Sequence, residues 1–509
     1  MRLRRLFIPL LILGCAIIPN AQSAEAKMPD PQAFDQYVAD MVNKDNLPGV
    51  SIAIVNGNET YTQGYGLANQ AAKRKVSPDT LFELGSNSKA YTALGILLLA
   101  EQGKVDLKAP VSRYLPQTEW KFDQAQVDPA VKDFLHQTSG MGSNSIALIK
   151  PSKDEQALQD TVRNLASQPL WYKPGQQFLY STGNYDVLGA IIEQVSGQSY
   201  ESFMATEVMK PLGLTSTYAG TAVLPSDAQL SSGYKLGLIG NRSYEAPTYR
   251  GNMPAGYIVS NAKDMARWLQ IQLEQDDTLP ESLHRAVNAS HIPDDRVAAT
   301  LTEPYDSPFR YGGGWLVFDR GEQPYLSHGG NNPNFSSYVL VDLEKKIGVA
   351  VMGNRNSTYT YAIASGLYDI LLGKQPAAAP PDTTSTANLA ATILLVLSIL
   401  LSLWLLYRLV LLILAMQRGR RVFTGFTAAL YIKTALWILF AALMIGVAWY
   451  IPKLLFWGYP WPFIIVWAPF TVAPAMISLG ITAILFAGLR ITAALFPRRA
   501  EEQPISLAV

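Results

Sequence analysis

Leu81-Phe82-Glu83-Leu84-Gly85-Ser86-Asn87-Ser88-Lys89 runs on into Ala90-Tyr91-Thr92-Ala93-Leu94-Gly95-Ile96-Leu97-Leu98-Leu99-Ala100. It reads as a short extended segment, then a serine where a long apolar helix begins. Ser86 and Lys89 are three residues apart, so on a helix they share one face and the amine comes within reach of the hydroxyl. A serine hydroxyl is a weak nucleophile until a base takes its proton. A lysine in a dry pocket, or near other cations, loses part of its proton affinity and can assist. The helix N-terminus also aims free N–H groups at an anion formed beside Ser86. The same S-x-x-K spacing recurs at Ser232-Gly233-Tyr234-Lys235 and Ser260-Asn261-Ala262-Lys263. In the second of these, Ser260 or Asn261 is more simply a helix N-cap. Ser86 therefore needs partners elsewhere.

Two segments supply candidates. Tyr180-Ser181-Thr182 precedes a helical run starting at Tyr185, just after a Pro174-Gly175 turn. A tyrosine beside Lys89, held as phenolate or sharing a proton with it, can take the Ser86 proton and pass it to a leaving amine. His328-Gly329-Gly330-Asn331 is expected between two strands. Its paired glycines let backbone N–H groups approach a ligand closely, as an oxyanion hole requires.

The rest of the chain frames these groups. At 509 residues it exceeds one ordinary domain, and its net charge of +1 with scattered basic residues points to no nucleic-acid partner. Arg2-Leu3-Arg4-Arg5 and the apolar run to Ile18 predict a signal peptide over residues 1–26, with Ala24-Glu25-Ala26 as the cleavage site. Leu13-Gly14-Cys15 offers the alternative of a lipidated N-terminus. Cys15 is the single cysteine, so no disulfide is available to the domain that follows.

A helix over Phe34–Val42 is expected, then a hairpin of Val50–Val55 and Thr60–Gly66 on an Asn56-Gly57 turn. A mostly helical middle includes 131–137, 155–166 and 185–195. Strands return over 311–318, 335–341 and 347–353, and a helix over 360–372 closes the unit. Strands at both ends of a helical insert predict an antiparallel sheet packed by helices beside an all-helical lobe. Residues 27–373 form this domain and 374–387 a Pro/Ala/Thr-rich linker. Residues 388–496 form a three-helix transmembrane anchor, with runs at 388–416, 428–450 and 463–489, and 497–509 a tail. Arg418, Arg420 and Arg421 after the first run, with Arg490, Arg498 and Arg499 at the end of the third, place those ends in the cytoplasm and the large domain outside. Few charges lie deep in the spans, so they read as an anchor in membrane lipid, with Lys433 able to snorkel.

Serine-lysine, then a tyrosine about 90 residues on, then a glycine-rich strand about 150 further, resembles the serine β-lactamase and penicillin-binding-protein superfamily. The class C branch, with its esterase and D-peptidase relatives, is the most similar. Phe134-Leu135-His136-Gln137-Thr138-Ser139-Gly140, Pro211-Leu212-Gly213-Leu214 and Met253-Pro254-Ala255-Gly256-Tyr257 carry the same resemblance over roughly Gln32–Gly373. It implies nucleophile Ser86, base groups Lys89 and Tyr180, an oxyanion hole from the N–H groups of Ser86 and Asn331, an acyl-enzyme, and no metal or other cofactor. It departs from the pattern twice. Tyr-x-Asn has become Tyr-x-Thr at Thr182, and Lys-Thr-Gly has become His328-Gly329-Gly330, which removes the cation that binds a β-lactam carboxylate. Both changes favour the esterase and D-peptidase side, and a non-turning-over β-lactam sensor is a further alternative.

Three phrases, Asn184–Gly189, Ser231–Gly237 and Ser327–Ser337, look like the membrane-bound peptidases that activate nonribosomal peptide prodrugs, as in colibactin maturation. That resemblance implies an inner-membrane enzyme removing an N-acyl-D-asparagine cap from an exported precursor, with the precursor's exporter as a partner. It assigns Thr182 and Asn332 to the D-Asn side chain, with His328, Gly330 and Asn252 at the substrate; Asn252 stands where the colibactin type has histidine.

Overall fold

The computed structural model describes residues 27–301, 307–456 and 458–499. The expected signal peptide, Cys15 and most of the tail lie outside them. An eight-stranded antiparallel sheet is assembled from both ends of the hydrolase-like region. Its strands are β1 (Gly49–Asn56), β2 (Glu59–Asn69), β3 (Arg74–Lys75), β4 (Phe309–Tyr311), β5 (Leu316–Phe318), β6 (Tyr325–Asn331), β7 (Ser336–Asp342) and β8 (Ile347–Gly353). The spatial order is β4-β5-β6-β7-β8-β1-β2-β3.

Side chains alternate across a strand, and β1 is buried on both faces. Ile52 and Ile54 pack with Phe34, Val38, Ile363 and Leu367. These come from helices α1 (Pro31–Lys44) and α5 (Tyr359–Leu371), named here with α2 (Ser88–Glu101), α3 (Gly183–Ser196) and α4 (Ala262–Gln272). Ala53 and Val55 face the opposite way, into the larger core shared with α2, α3 and α4.

α2 is apolar all round, and every residue from Ser88 to Leu99 is buried. It is therefore the central post between the sheet and the helical lobe. Ser86 lies just before it, in a 3₁₀ turn over Gly85–Asn87, so the α-helix begins two residues later than the sequence suggests.

Three other expectations are corrected. The run 311–318 is not one strand: β4 and β5 are joined through Gly312-Gly313-Gly314, where Gly314 has φ +83° and lies against the Lys89–Ala90 backbone. Only a residue without Cβ fits there. His328–Asn331 does not lie between strands but forms the end of β6. The third apolar run is also broken. Helix α6 (Thr383–Gln417) and α7 (Ala428–Leu455) are followed by a short α8 (Trp461–Trp467) and then α9 (Val472–Leu495). Ala468 before Pro469 is extended (φ −75°, ψ 160°), because proline disfavours a helical residue ahead of it and cannot donate to the ladder. α6 also starts at Thr383, inside the expected linker.

Helices α6, α7 and α9 are each long and apolar enough to cross a membrane. Ser398–Ser478 and Ser402–Thr482 hydroxyl pairs, each 2.7 Å, join α6 to α9. The hydrolase-like domain is seated on one end of this bundle. Lys235 donates to the carbonyls of Ile465 and Val466 (2.9 Å each), and the Phe470 N–H donates to Leu236. The fully buried Arg355 pairs with Asp45, whose carboxylate also accepts from Ser385 at the start of α6.

Candidate active site

Four segments converge on Ser86. α2 supplies Lys89, and the first turn of α3 supplies Thr182 as its N-cap, with Tyr180 just before it. The end of β6 supplies Gly330 and Asn331. The turn Met253–Gly256 supplies the Ala255 carbonyl.

Lys89 is wholly buried, and its Nζ lies 3.0 Å from Ser86 Oγ, 3.2 Å from Thr182 Oγ1 and 2.8 Å from the Ala255 carbonyl. As an ammonium it donates to all three. Burial pushes its pKa down to about 7, against a partly opposing pull from Asp186. Once neutral, its two N–H groups satisfy Ala255 and Thr182, and the lone pair faces the Ser86 hydroxyl. That is the arrangement a general base needs.

Tyr180 is also brought to this point. Lys89 Nζ sits 5.2 Å from its ring centre, and the ring packs edge-on against Tyr311 (6.0 Å) and beside His328 (5.9 Å).

Ser86 and β6 approach without room for side chains. Gly85 has φ +55°, and a Cβ there would overlap the Asn331 amide nitrogen. A Cβ on Gly330 would overlap the Leu84 carbonyl oxygen and Ser337 Oγ. Ser337 Oγ donates to Leu84 O (2.6 Å) and accepts from Asn87 Nδ2 (2.7 Å), tying β7 to the same turn. This closeness brings the Asn331 amide nitrogen against the Gly85 turn that carries Ser86.

The remaining sequence candidates have partners within the protein. His328 is buried. Its Nδ1 lies 2.7 Å from the Gly329 carbonyl, so that nitrogen carries the proton, and Nε2 accepts from Tyr311 Oη (3.0 Å). Burial, and next the charge of Lys89, lower its pKa to about 3, so at neutral pH it is not a cation. Asn332 donates to Glu83 (2.6 Å) and to the Gly256 carbonyl (2.9 Å). Asn252 is turned by its hydrogen-bonding surroundings so that its amide nitrogen donates to both Asp186 oxygens (3.0 and 3.2 Å).

Sequence reading gave no role to Glu83 or Asp186. Asp186 stands four residues after Thr182, on the same helical face, which is the signal that could have found it. It is wholly buried, and desolvation raises its pKa well above the usual carboxylate range, countered by Lys89. Burial likewise raises Glu83 to about 7, with the Asn332 hydrogen bond pulling the other way. Glu83 opens onto a cavity of about 380 Å³ whose wall mixes aromatic side chains, among them Tyr244, Tyr249 and Tyr257, with polar ones such as Ser231, Ser243 and Glu245. The other two S-x-x-K sequences are accounted for by structure. Asn261 caps α4 by accepting from the Asp264 N–H (2.9 Å), and Lys235 holds the bundle.

If neutral Lys89 is the base, activity rises with pH through about 7 and then levels, because the protonated amine cannot accept. Asp186, in its ionised form opposite Lys89, favours the ammonium against the desolvation that opposes its charge; replacing it by asparagine removes that contribution, so the inflection moves to lower pH. A pH profile of kcat/KM for both proteins measures this, and an inflection that does not move downward contradicts this electrostatic arrangement.

A family model described as Beta-lactamase matches residues 34–373. Protein flp of Staphylococcus aureus (strain N315) is 28% identical over 464 residues, 88% of this chain and 87% of flp. That span is longer than the matched family region and so takes in apolar helices as well. Unguisins hydrolase ungD of Aspergillus violaceofuscus is 27% identical over 358 residues, 64% of this chain and 61% of its own. Among solved structures, the octameric penicillin-binding protein homologue from Pyrococcus abyssi aligns with a TM-score of 0.60 and 26% identity, covering 68% of this chain and 78% of that one. A class C beta-lactamase aligns with a TM-score of 0.57 and 20% identity, covering 66% and 95%.

Proposed function

The chain belongs to the beta-lactamase family of serine hydrolases, and on that premise we propose that it is a membrane-anchored, periplasmic serine peptidase. In this reading it removes an N-acyl-D-amino-acid cap, D-asparagine-like, from an exported nonribosomal peptide prodrug. The observation that carries the hydrolytic part is the buried Lys89 amine, held between Ser86, Thr182 and Ala255 with its pKa lowered to about 7.

Ser86 Oγ attacks the amide carbonyl while its proton passes to Lys89, with Tyr180 beside it. The amides of Ser86 and Asn331 hold the oxyanion. The proton then goes to the leaving amine as the C–N bond breaks, leaving an ester on Ser86, and water hydrolyses that ester with the same base.

Three features favour the acyl-D-amino-acid cap over a β-lactam. His328 is neutral and offers no countercharge to a carboxylate. The Glu83–Asn332 pair presents a carboxyl group able to accept from a primary amide, and Thr182 adds a hydroxyl; a buried amide left unpaired is costly, so such groups select for it. Tyr244, in the wall of the cavity beside Glu83, packs edge-on against Phe470 (5.5 Å) of the bundle, which places that cavity close to the end where an acyl chain held at the bilayer surface would enter. The relative named as an unguisins hydrolase is in keeping with a hydrolytic role.

Membranes carrying the protein should release amine from N-myristoyl-D-asparaginyl-amine and not from the L compound. Turnover of simple esters or of muropeptide D-Ala-D-Ala in its place would promote an esterase or cell-wall D-peptidase on the same machinery.

A further inference from the structure

At the end of the bundle away from the hydrolase domain, Lys433 of α7 and Arg490 of α9 line one cavity of about 500 Å³. Its other walls are Leu436, Trp437, Ala493 and Ala494, and the Arg490 guanidinium lies 4.8 Å from the Trp437 ring centre. The placement follows from the chain. α9 begins beside Phe470, where the domain is seated, and Arg490 lies about 27 Å further along at ~1.5 Å per residue. From the first residue of α6, Thr383, to the last of α9, Leu495, the sequence contains no aspartate or glutamate, so the helices supply no carboxylate partner to these cations; Glu501 and Glu502 follow only after the helices in the sequence. Arg418, Arg420, Arg421, Arg498 and Arg499 gather at the same end; the Arg499 N–H donates to the Arg420 carbonyl (3.0 Å), joining the two rims.

Two cations on facing helices, an apolar wall below them and a tryptophan at the level of the charge are what a phosphodiester headgroup with its acyl chains would fill. We propose that Lys433 and Arg490 form a binding site for the phosphate of an anionic phospholipid, seated between α7 and α9. The guanidinium and ammonium take the phosphate oxygens, and the chains run along the Leu436–Trp437 wall.

The test uses the full chain in nanodiscs of phosphatidylcholine containing phosphatidylglycerol or cardiolipin, transferred to detergent and weighed by native mass spectrometry. The wild type should retain the anionic lipid over phosphatidylcholine. The Lys433→Gln/Arg490→Gln double variant should retain about tenfold less, each charge near a membrane surface being worth roughly a few-fold in affinity. Lys433→Arg keeps the charge and should retain the lipid, and Arg408→Gln, which alters a cation stacked on Trp404 of α6, should leave retention unchanged. Equal retention of both lipid classes, or a double variant that retains as much as the wild type, overturns the proposal. Displacement of the lipid by millimolar inorganic phosphate would overturn it in favour of a free-anion site.

Discussion

Replacing Ser86 by alanine is expected to lower kcat/KM for the capped substrate by about 10⁴- to 10⁶-fold with little change in stability. The side chain is small and half-buried and accepts from Lys89, so in the proposed mechanism its loss removes the attacking atom and little packing. Lys89→Met should cost a comparable factor for a different reason. The thioether fills the buried space but cannot take the Ser86 proton, and it leaves the Ala255 carbonyl and Thr182 hydroxyl without their donor. Because the two groups act as one unit, the double variant should be scarcely slower than either single one. Steady-state rates on purified variants, with circular dichroism to verify folding, measure all three. Additive losses would show that Ser86 and Lys89 act separately and would contradict the proton transfer between them.

Gly330→Ala should also be severely impaired, although residue 330 contributes no side-chain chemistry. Its Cβ would overlap the Leu84 carbonyl and Ser337 Oγ, so β6 must move away from the turn that holds Ser86. That movement separates the Asn331 amide from the Ser86 amide. Losing one oxyanion donor costs about 10² to 10³ in kcat, while crowding a tight contact costs about 1–3 kcal/mol of stability. The discriminating reading is the split between parameters: kcat should fall much more than KM rises. A Gly330→Ala protein with unaltered kcat would remove Asn331 from the oxyanion hole.

The parts of this fold legible in sequence are those set by local rules. The hairpin of β1 and β2 on Asn56-Gly57 follows from turn chemistry and strand patterning, and the long apolar stretch after Ser86 could only be a buried helix. Ser86 and Lys89 were visible because three residues of separation fix their proximity. What escaped were effects of distant chain segments. Pro469 broke a hydrophobic run that hydropathy alone reads as continuous. The split between β4 and β5 exists because Gly314 must clear the α2 backbone, a contact about 220 residues away in sequence that no local pattern encodes. Glu83 lay inside the decisive stretch, yet its role depends on burial and on Asn332 from the far end of β6. Asn252 and Asp186 are a pair only because the turn before Met253 packs on α3.

Most directly, the proposal that Ser86 becomes acylated by an N-acyl-D-amino acid is tested by mass spectrometry of the protein. The wild type is mixed with the p-nitrophenyl ester of N-myristoyl-D-asparagine and quenched in acid within the first turnovers. The expected result is a mass increase equal to the acyl group, mapped to the peptide containing Ser86, formed with the D and not the L ester and absent from Ser86→Ala. Turnover without any adduct, an adduct on another residue, or stable acylation by β-lactams alone would contradict it.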